Sequence, residues 1–353
     1  MIHMNYASQA VLPDVSLQAA HAVYTQYAAA GSLPIDRWKE ITGTARRRAA
    51  RLAAVEPVDI AFVASTTHGL QCAMQLVPFQ PGDRVVVSGA FPTIVAPWMH
   101  GAIAGVTPVF VEWTEPDAVL QGISTACDQG PVRAAFVDWV NYATGRVLPL
   151  GRVKALLAPD AYLVVDVMQG LGLLPSPARD TDIMVAGGGK WLMGPEGTGI
   201  LYLRPDRQWN RGPVGWLSAE YDDFTHCMPP RPPAPGARRL EAGTRNSPGI
   251  AALSESINLI LEAGDTWGTV RPMVQALIDG ARRLGLATSV AAPESGIVGI
   301  EVDDSPAIAS GLLKRGIRVS ARDRWIRISP HLVNTMGEVE TVLTALAEIL
   351  HKA

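Results

Sequence analysis

The sequence predicts an α/β protein: a large domain on a mainly parallel sheet at residues 15–250, then a small α+β domain at 251–353, with residues 1–14 packed on the small domain. Three observations lead there. Between residues 58 and 203, apolar runs of strand length alternate with segments of helical composition, as in a parallel sheet covered on both faces. After residue 247 the order changes to two helices, a strand, a helix, two strands and a last helix, which reads as α+β. The 353 residues are 48% hydrophobic and 18% charged, which is ample for a buried core at two-domain length and too apolar for a disordered chain.

The elements follow in order. Residues 18–30 and 35–55 read as helices, and Arg46, Arg47, Arg48 and Arg51 form a solvated face on the second. The strand runs are 58–64, 84–88, 107–113, 132–140, 162–166, 182–186 and 198–203. Helical segments stand between several of them, at 68–76, 94–104 and 153–157. Residues 228–238, MPPRPPAPGAR, are too proline-rich for regular structure and read as an extended surface loop. Helices are expected at 249–263, 267–286, 305–315 and 337–351, with strands at 296–302, 317–320 and 325–329.

Composition excludes several classes. A formal charge of −3 leaves no basic surplus for a phosphate backbone, so no nucleic-acid partner is expected. Cys72, Cys127 and Cys227 are scattered, with no CxxC pair and no His/Cys cluster, so neither a disulfide framework nor a metal site is suggested. The N-terminal MIHMNYASQAVLPDVS lacks a basic stretch followed by an apolar one, and no apolar run is long enough to span a membrane. The expectation is a cytoplasmic protein without a membrane partner.

The chemistry concentrates at residues 161–204. One apolar strand ends in Asp166, and a second runs into Gly187-Gly188-Gly189-Lys190. Acids and bases at the carboxyl ends of parallel strands stand where open α/β sheets bind ligands. A lysine leaving a strand into such a pocket is desolvated, which makes its amine nucleophilic. A GGGK turn on its own also occurs as plain surface. A Walker loop is excluded, because Trp191 stands where Ser or Thr is needed and the first glycine is missing.

The segment is not on its own. VVDVMQGLG, DIMVAGGGKW and GPEGTGILYLR resemble the lysine motif of the class V (cysteine desulfurase-like) pyridoxal-phosphate enzymes. Ser65-Thr66-Thr67-His68-Gly69 resembles the phosphate turn of that family, and Asn141-Tyr142-Ala143-Thr144-Gly145 its Asn-x-x-Thr-Gly loop. Glu241-Ala242-Gly243-Thr244-Arg245-Asn246 resembles its Gly-Thr loop, and Arg327-Ile328-Ser329-Pro330-His331 its C-terminal arginine motif. These pieces stand in family order over residues 60–335. The resemblance implies a fold-type I architecture with a mainly parallel seven-stranded sheet, and pyridoxal 5′-phosphate as cofactor.

It also implies roles. Lys190 would form the internal aldimine, and Asp166 would keep the pyridinium nitrogen protonated. Gln169 would bond the phenolic oxygen, and Thr66 and Thr67 would hold the phosphate at a helix N-terminus. Thr244 would reach the phosphate of a neighbouring subunit, which implies a homodimer with shared sites. Asn141 would lie near the substrate carboxylate, and Arg327 would bind that carboxylate bidentately. Phe91 would stack on the ring, in a GAFPT segment similar to kynureninases and an epimerase/lyase-like subgroup. Trp216 resembles a phosphate-touching GW element.

The sequence departs from the family in three places. Gly189 stands where the family has His, Gln or Arg, and Gly187 where it has a small hydroxyl residue. His68 replaces a common acid and is either a pocket base or a structural histidine. Residues 319–325, VSARDRW, form a short loop without the cysteine that a desulfurase uses to take sulfur. The expected function is therefore β-elimination of a substituted cysteine (C–S lyase) on an amino-acid substrate, and not persulfide-forming desulfuration. Aminotransfer stands second, and decarboxylation with deamination, or epimerisation, third. Arg322 and Arg324 offer cations for a second acidic group on the substrate. A non-catalytic homologue is the contrasting reading.

Overall fold

The structure is a computed structural model that describes residues 1–219 and 231–351. Its strands are β1 (Ile2–His3), β2 (Ile60–Val63), β3 (Arg84–Ser88), β4 (Thr107–Phe110), β5 (Ala134–Asp138), β6 (Tyr162–Asp166), β7 (Ile183–Gly187), β8 (Gly199–Leu203), β9 (Val298–Glu301), β10 (Ile317–Arg318), β11 (Ser320–Arg322) and β12 (Trp325–Ile328). Its α-helices are α1 (Asp14–Ala30), α2 (Ile35–Ala53), α3 (Thr66–Leu76), α4 (Pro92–Met99), α5 (Pro116–Asp128), α6 (Leu150–Leu156), α7 (Ser247–Ala263), α8 (Thr266–Arg283), α9 (Ser305–Lys314) and α10 (Met336–Leu350).

The expected seven-stranded sheet is present, in the order β2-β8-β7-β6-β5-β3-β4. Only β8 runs against its neighbours, so the sheet is mainly parallel. Side chains alternate between the faces of a strand. In β6, Tyr162 and Val164 enter one core while Leu163 and Val165 enter the other. Covering both faces is why these strands read as continuous apolar runs. The edge strand β4 is the exception, with Thr107 and Phe110 exposed.

Several elements are shorter than the sequence predicts. The helix expected at 94–104 stops at Met99, because the chain turns through Gly101 at φ +70°. The run at 132–140 leaves the sheet after Asp138 and folds into a hairpin, where Leu148 N–H donates to the carbonyl of Trp139 at 2.8 Å. Gly145 is required there: its φ is +79°, and a Cβ would fall 2.2 Å from the carbonyl oxygen of Ile297. The segment expected as a loop at 319–325 is mostly strand. It forms a β11–β12 hairpin with Asp323 and Arg324 in the turn, and Asp323 takes the left-handed φ of 51° that aspartate tolerates.

The second sheet is antiparallel, in the order β11-β12-β9, and β1 pairs with β10. Asn5 continues the N-terminal pairing as a bridge to Ser329. Cys227 and the first part of the proline-rich stretch lie outside the described residues. No helix among the described residues is long and apolar enough to cross a membrane.

Candidate active site

The carboxyl ends of β3, β5, β6 and β7 and the start of α3 converge on one pocket of about 410 Å³. Lys190, Asp166, Gln169, Thr66, Thr67 and Phe91 all line it. Residues far apart in sequence are thus brought together at the strand ends.

Ser65 starts α3 in an extended conformation, and its side chain caps the helix by accepting from His68 N–H. That cap leaves the first backbone amides of α3 facing the pocket, where they favour an anion. Thr66 Oγ1 accepts from Gly187 N–H at 3.0 Å, which ties the helix start to the end of β7. Gly187 has little room for a side chain: a Cβ would fall 3.2 Å from Met168 Cε and 3.3 Å from Thr66 Oγ1. His68 Nδ1 accepts from Ala64 N–H at 3.1 Å, which supports the structural alternative for this histidine.

Asp166 is buried at the end of β6 and accepts from Met168 N–H at 2.8 Å. Burial pushes its carboxyl up, while the Met168 amide and Lys190 pull it down. Burial also lowers the Lys190 amine to about 8; Asp166 opposes that shift and Arg327 adds to it. The amine lies 5.5 Å from the centre of the Phe91 ring. The next residue, Trp191, anchors the turn. It is 1% exposed, stacks on His331 and donates from Nε1 to Gln169 Oε1 at 2.9 Å. Gln169 in turn donates to the carbonyl of Ala7 at 3.0 Å.

Asp138 was missed by the sequence reading. It ends β5 beside Asp166, its register partner on β6. It lines the pocket and accepts from the amides of Ala90 and Phe91 at 2.6 and 3.1 Å. Burial and the neighbouring Asp166 raise its carboxyl well above the usual range. The signal was present, since a strand-end acid had already singled out Asp166. Ser8, Gln9 and Tyr142 were also missed and line the same pocket.

Other expected residues lie elsewhere. Asn141 is turned into its own hairpin: Oδ1 accepts from the amides of Ala143 and Thr144 at 2.9 and 3.1 Å, and Val140 and Tyr142 line the pocket instead. Arg327 sits behind the pocket wall on β12, 1% exposed. It donates to Ser8 Oγ and, at 2.6 Å, to the carbonyl of Tyr142, both pocket residues. Among the described residues no carboxylate pairs with it, and burial with Arg322 nearby lowers it to about 9. Arg322 also donates to Ser8 Oγ at 3.2 Å, whereas Arg324 pairs with Glu301 at 3.1 Å. Thr244 is exposed in an adjoining cavity that shares Ala64, Gly197 and Thr198 with the first. Trp216 is 42% exposed on a turn whose Leu217 N–H donates to the carbonyl of Ala242, and it is not among the residues lining the Lys190 pocket.

The pocket fits pyridoxal 5′-phosphate on its own chemistry. It offers amides for a phosphate, a buried acid for a ring nitrogen, a desolvated amine for an aldehyde and an aromatic ring for a face.

Comparison with known proteins agrees. The aminotransferase class-V family matches residues 2–341. An uncharacterised aminotransferase of Bacillus subtilis (strain 168) is 25% identical over 331 residues, 89% of this chain and 86% of that protein. Isopenicillin N epimerase of Streptomyces clavuligerus is 28% identical over 257 residues, 68% of this chain and 63% of the epimerase. Among solved structures, the cystine C–S lyase C-DES in complex with its product cysteine persulfide is 26% identical, with a TM-score of 0.86 over 98% of this chain and 97% of that one. A variant of that lyase holds glycine covalently linked to its pyridoxal-phosphate cofactor. Cysteine desulfurases also stand among the relatives and the solved structures, so the expected exclusion of desulfuration is not supported. The match runs from the N-terminal strand into the last helix, and this chain belongs to the aminotransferase class-V family of pyridoxal 5′-phosphate-dependent enzymes.

Proposed function

We propose that the chain catalyses β-elimination from a substituted cysteine, a C–S lyase reaction. The observation that carries the reading is the β11–β12 hairpin. It has no thiol between residues 319 and 325, its turn is tight, and Arg327 follows on β12, buried and without an acidic partner among the described residues. Cys72 is buried on α3, and burial raises its thiol to about 11, so it makes a poor nucleophile.

Pyridoxal 5′-phosphate supplies, when bound, an electron sink for negative charge on the substrate's α-carbon. Lys190 holds the cofactor and, once released, takes the α-proton on Nζ; its lowered pKa suits a base near neutral pH. Asp166 holds a proton on the ring nitrogen. Thr66 and Thr67 hold the phosphate, Gln169 bonds the phenolic oxygen, and Phe91 covers one face. Arg327 takes the substrate carboxylate, which replaces the missing counter-ion. Elimination then breaks the bond from β-carbon to sulfur, the thiolate leaves and takes up a proton, and the released 2-aminoacrylate is hydrolysed by one water to pyruvate and ammonia.

We also propose that Thr244, which lines the adjoining cavity, and Trp216 serve a neighbouring copy in a homodimer. We further propose the division into 15–250 and 251–353 with 1–14, supported by the β1–β10 pairing, and a cytoplasmic location.

Aminotransfer is the second reading, favoured by the Bacillus relative's name and long overlap. The test starts with the visible band of the purified protein, borohydride reduction and peptide mapping to Lys190. Pyruvate release from cystine and S-alkylcysteines supports elimination. Keto-acid exchange without pyruvate release supports aminotransfer instead. A protein that stays colourless with added pyridoxal 5′-phosphate overturns both.

A further inference from the structure

Ser8 and Gln9 line the pocket, and the backbone around them is fixed on both sides. Gln9 N–H donates to the carbonyl of Asn5 at 3.1 Å, and the Gln9 carbonyl lies 2.9 Å from His3 Nε2. Ala10 N–H donates to the carbonyl of Gly189 at 2.8 Å, one residue before Lys190. The side chain of Gln9 lines the pocket, yet its carboxamide has no hydrogen-bond partner among the described residues. It rests on Gly189: a Cβ there would fall 3.0 Å from Gln9 Nε2 and 3.2 Å from Oε1. A solvent-facing carboxamide free of protein partners, on a backbone held at three points and lining a binding pocket, is arranged to meet a ligand.

We propose that Gln9 is a ligand-contacting residue of this site: its carboxamide donates to an oxyanion in the pocket, and Gly189 lacks a side chain so that Gln9 fits there. The inference rests on the reading of the pocket as a cofactor and amino-acid site. The oxyanion comes from one of two sources, the phosphate ester of the cofactor or the carboxylate of the substrate. Both lie within the same chemistry, since the α3 N-terminus and Arg327 border the pocket that Gln9 lines.

The test uses full-length protein carrying Gln9→Ala, Gly189→Ala or both. Gln9 is exposed, so its replacement leaves the thermal melting temperature of the apo-protein unchanged. A phosphate contact is shown when Gln9→Ala weakens pyridoxal 5′-phosphate by about tenfold while pyridoxal, without the phosphate, is unaffected. A carboxylate contact is shown when cofactor affinity holds but the spectral titration of the holoprotein with L-alanine weakens by about tenfold, with alaninol unaffected. Gly189→Ala displaces the flexible end of Gln9 and reproduces the same loss, and adding it to Gln9→Ala costs nothing further. Constants for Gln9→Ala within twofold of wild type for all four probes overturn the proposal, as does an additive loss in the double variant. A wild-type protein that gains no visible band overturns the reading of the pocket itself, and the proposal with it. A normal wild-type band with unchanged Gln9→Ala constants overturns the proposal alone.

Discussion

Lys190 sets a pH threshold that can be measured. Burial lowers its amine from the ordinary 10.5 to about 8; Arg327 and Arg322 add repulsion, and Asp166 and Asp138 pull the other way. Only the neutral amine attacks an aldehyde. At pH 7 about 9% of amines are neutral with a pKa of about 8, against about 0.03% at 10.5, a gain of roughly 300-fold. The assay is the rate at which apo-protein gains its visible band with excess pyridoxal 5′-phosphate. Dividing by the rate for 6-aminohexanoate in the same buffers removes the aldehyde's own pH dependence. The amine's contribution rises about tenfold per pH unit and levels off above about 8, so the ratio falls above that point as the reference amine is still gaining. Stability follows the same proton. Between about 8 and 10.5 the unfolded chain keeps a proton that the folded chain has lost, so apo-protein stability rises with pH in that window. Below it both states are charged and the burial cost is felt in full. A ratio that stays flat up to the ordinary lysine range refutes a desolvated Lys190.

Asp138→Asn keeps an acceptor for the amides of Ala90 and Phe91 but removes a charge that favours protonated Lys190, so the same pH midpoint moves down. Asp138→Ala orphans both amides at about 1–3 kcal/mol each and lowers the urea midpoint as well. Glu241 accepts from Phe62 N–H and pairs with Arg46 at 2.8 Å and with Arg245, so Arg46 is buried by its ion pair and does not lie on the solvated helix face expected of it. Glu241→Ala leaves Arg46 buried and uncompensated, which costs about 3–5 kcal/mol in urea denaturation of the apo-protein. Arg327→Gln raises the L-alanine concentration that half-saturates the spectral change by roughly 30-fold or more, with little effect on alaninol. Equal losses for both probes would mean that Arg327 supports the pocket without holding a carboxylate.

The parts legible in the sequence are those with a local pattern. Strands buried on both faces cannot hide their apolar runs, and β3 and β6 stand where the composition puts their bounds. Lys190 and Asp166 were legible because they end such strands. For Asn141 the motif fixes the residue type and not the side-chain direction. Its carboxamide has a competing use in closing the turn before Gly145, a local bond that asparagine makes readily. The 319–325 segment reads as a loop because its strands are short and three consecutive charged residues stand there, Arg322 at the end of β11 and Asp323 and Arg324 in the turn. Pairing with β9 supplies what their composition lacks.

The N-terminal strap left no such trace, and it helps to hold the two sheets together at the site. Lys190 comes from the large sheet and Arg327 from the small one. Direct contacts join the two parts, such as Arg327 to the Tyr142 carbonyl at 2.6 Å and Ser295 Oγ to the Gly145 carbonyl at 2.7 Å, and the strap adds a second tie. Met4 N–H donates to the carbonyl of Arg318, Tyr6 N–H to that of Ser329, and Ser329 N–H to that of Met4, at 3.0, 3.2 and 2.8 Å. A few residues on, Ala7 accepts from Gln169 and Ala10 donates to Gly189. Tyr6 packs on His331, which stacks on Trp191, so the same clamp is made a second time through side chains. Burial lowers His331 to about 4, so this clamp stays uncharged throughout the range in which Lys190 titrates. Ser8 then stands where both guanidiniums can reach it, and Gln9 where it meets Gly189. The contacts join residues more than 160 positions apart, which no periodicity encodes. The group that takes the proton and the group that takes the carboxylate are thus tied together by ten N-terminal residues as well as by the direct bond from Arg327 to the Tyr142 carbonyl.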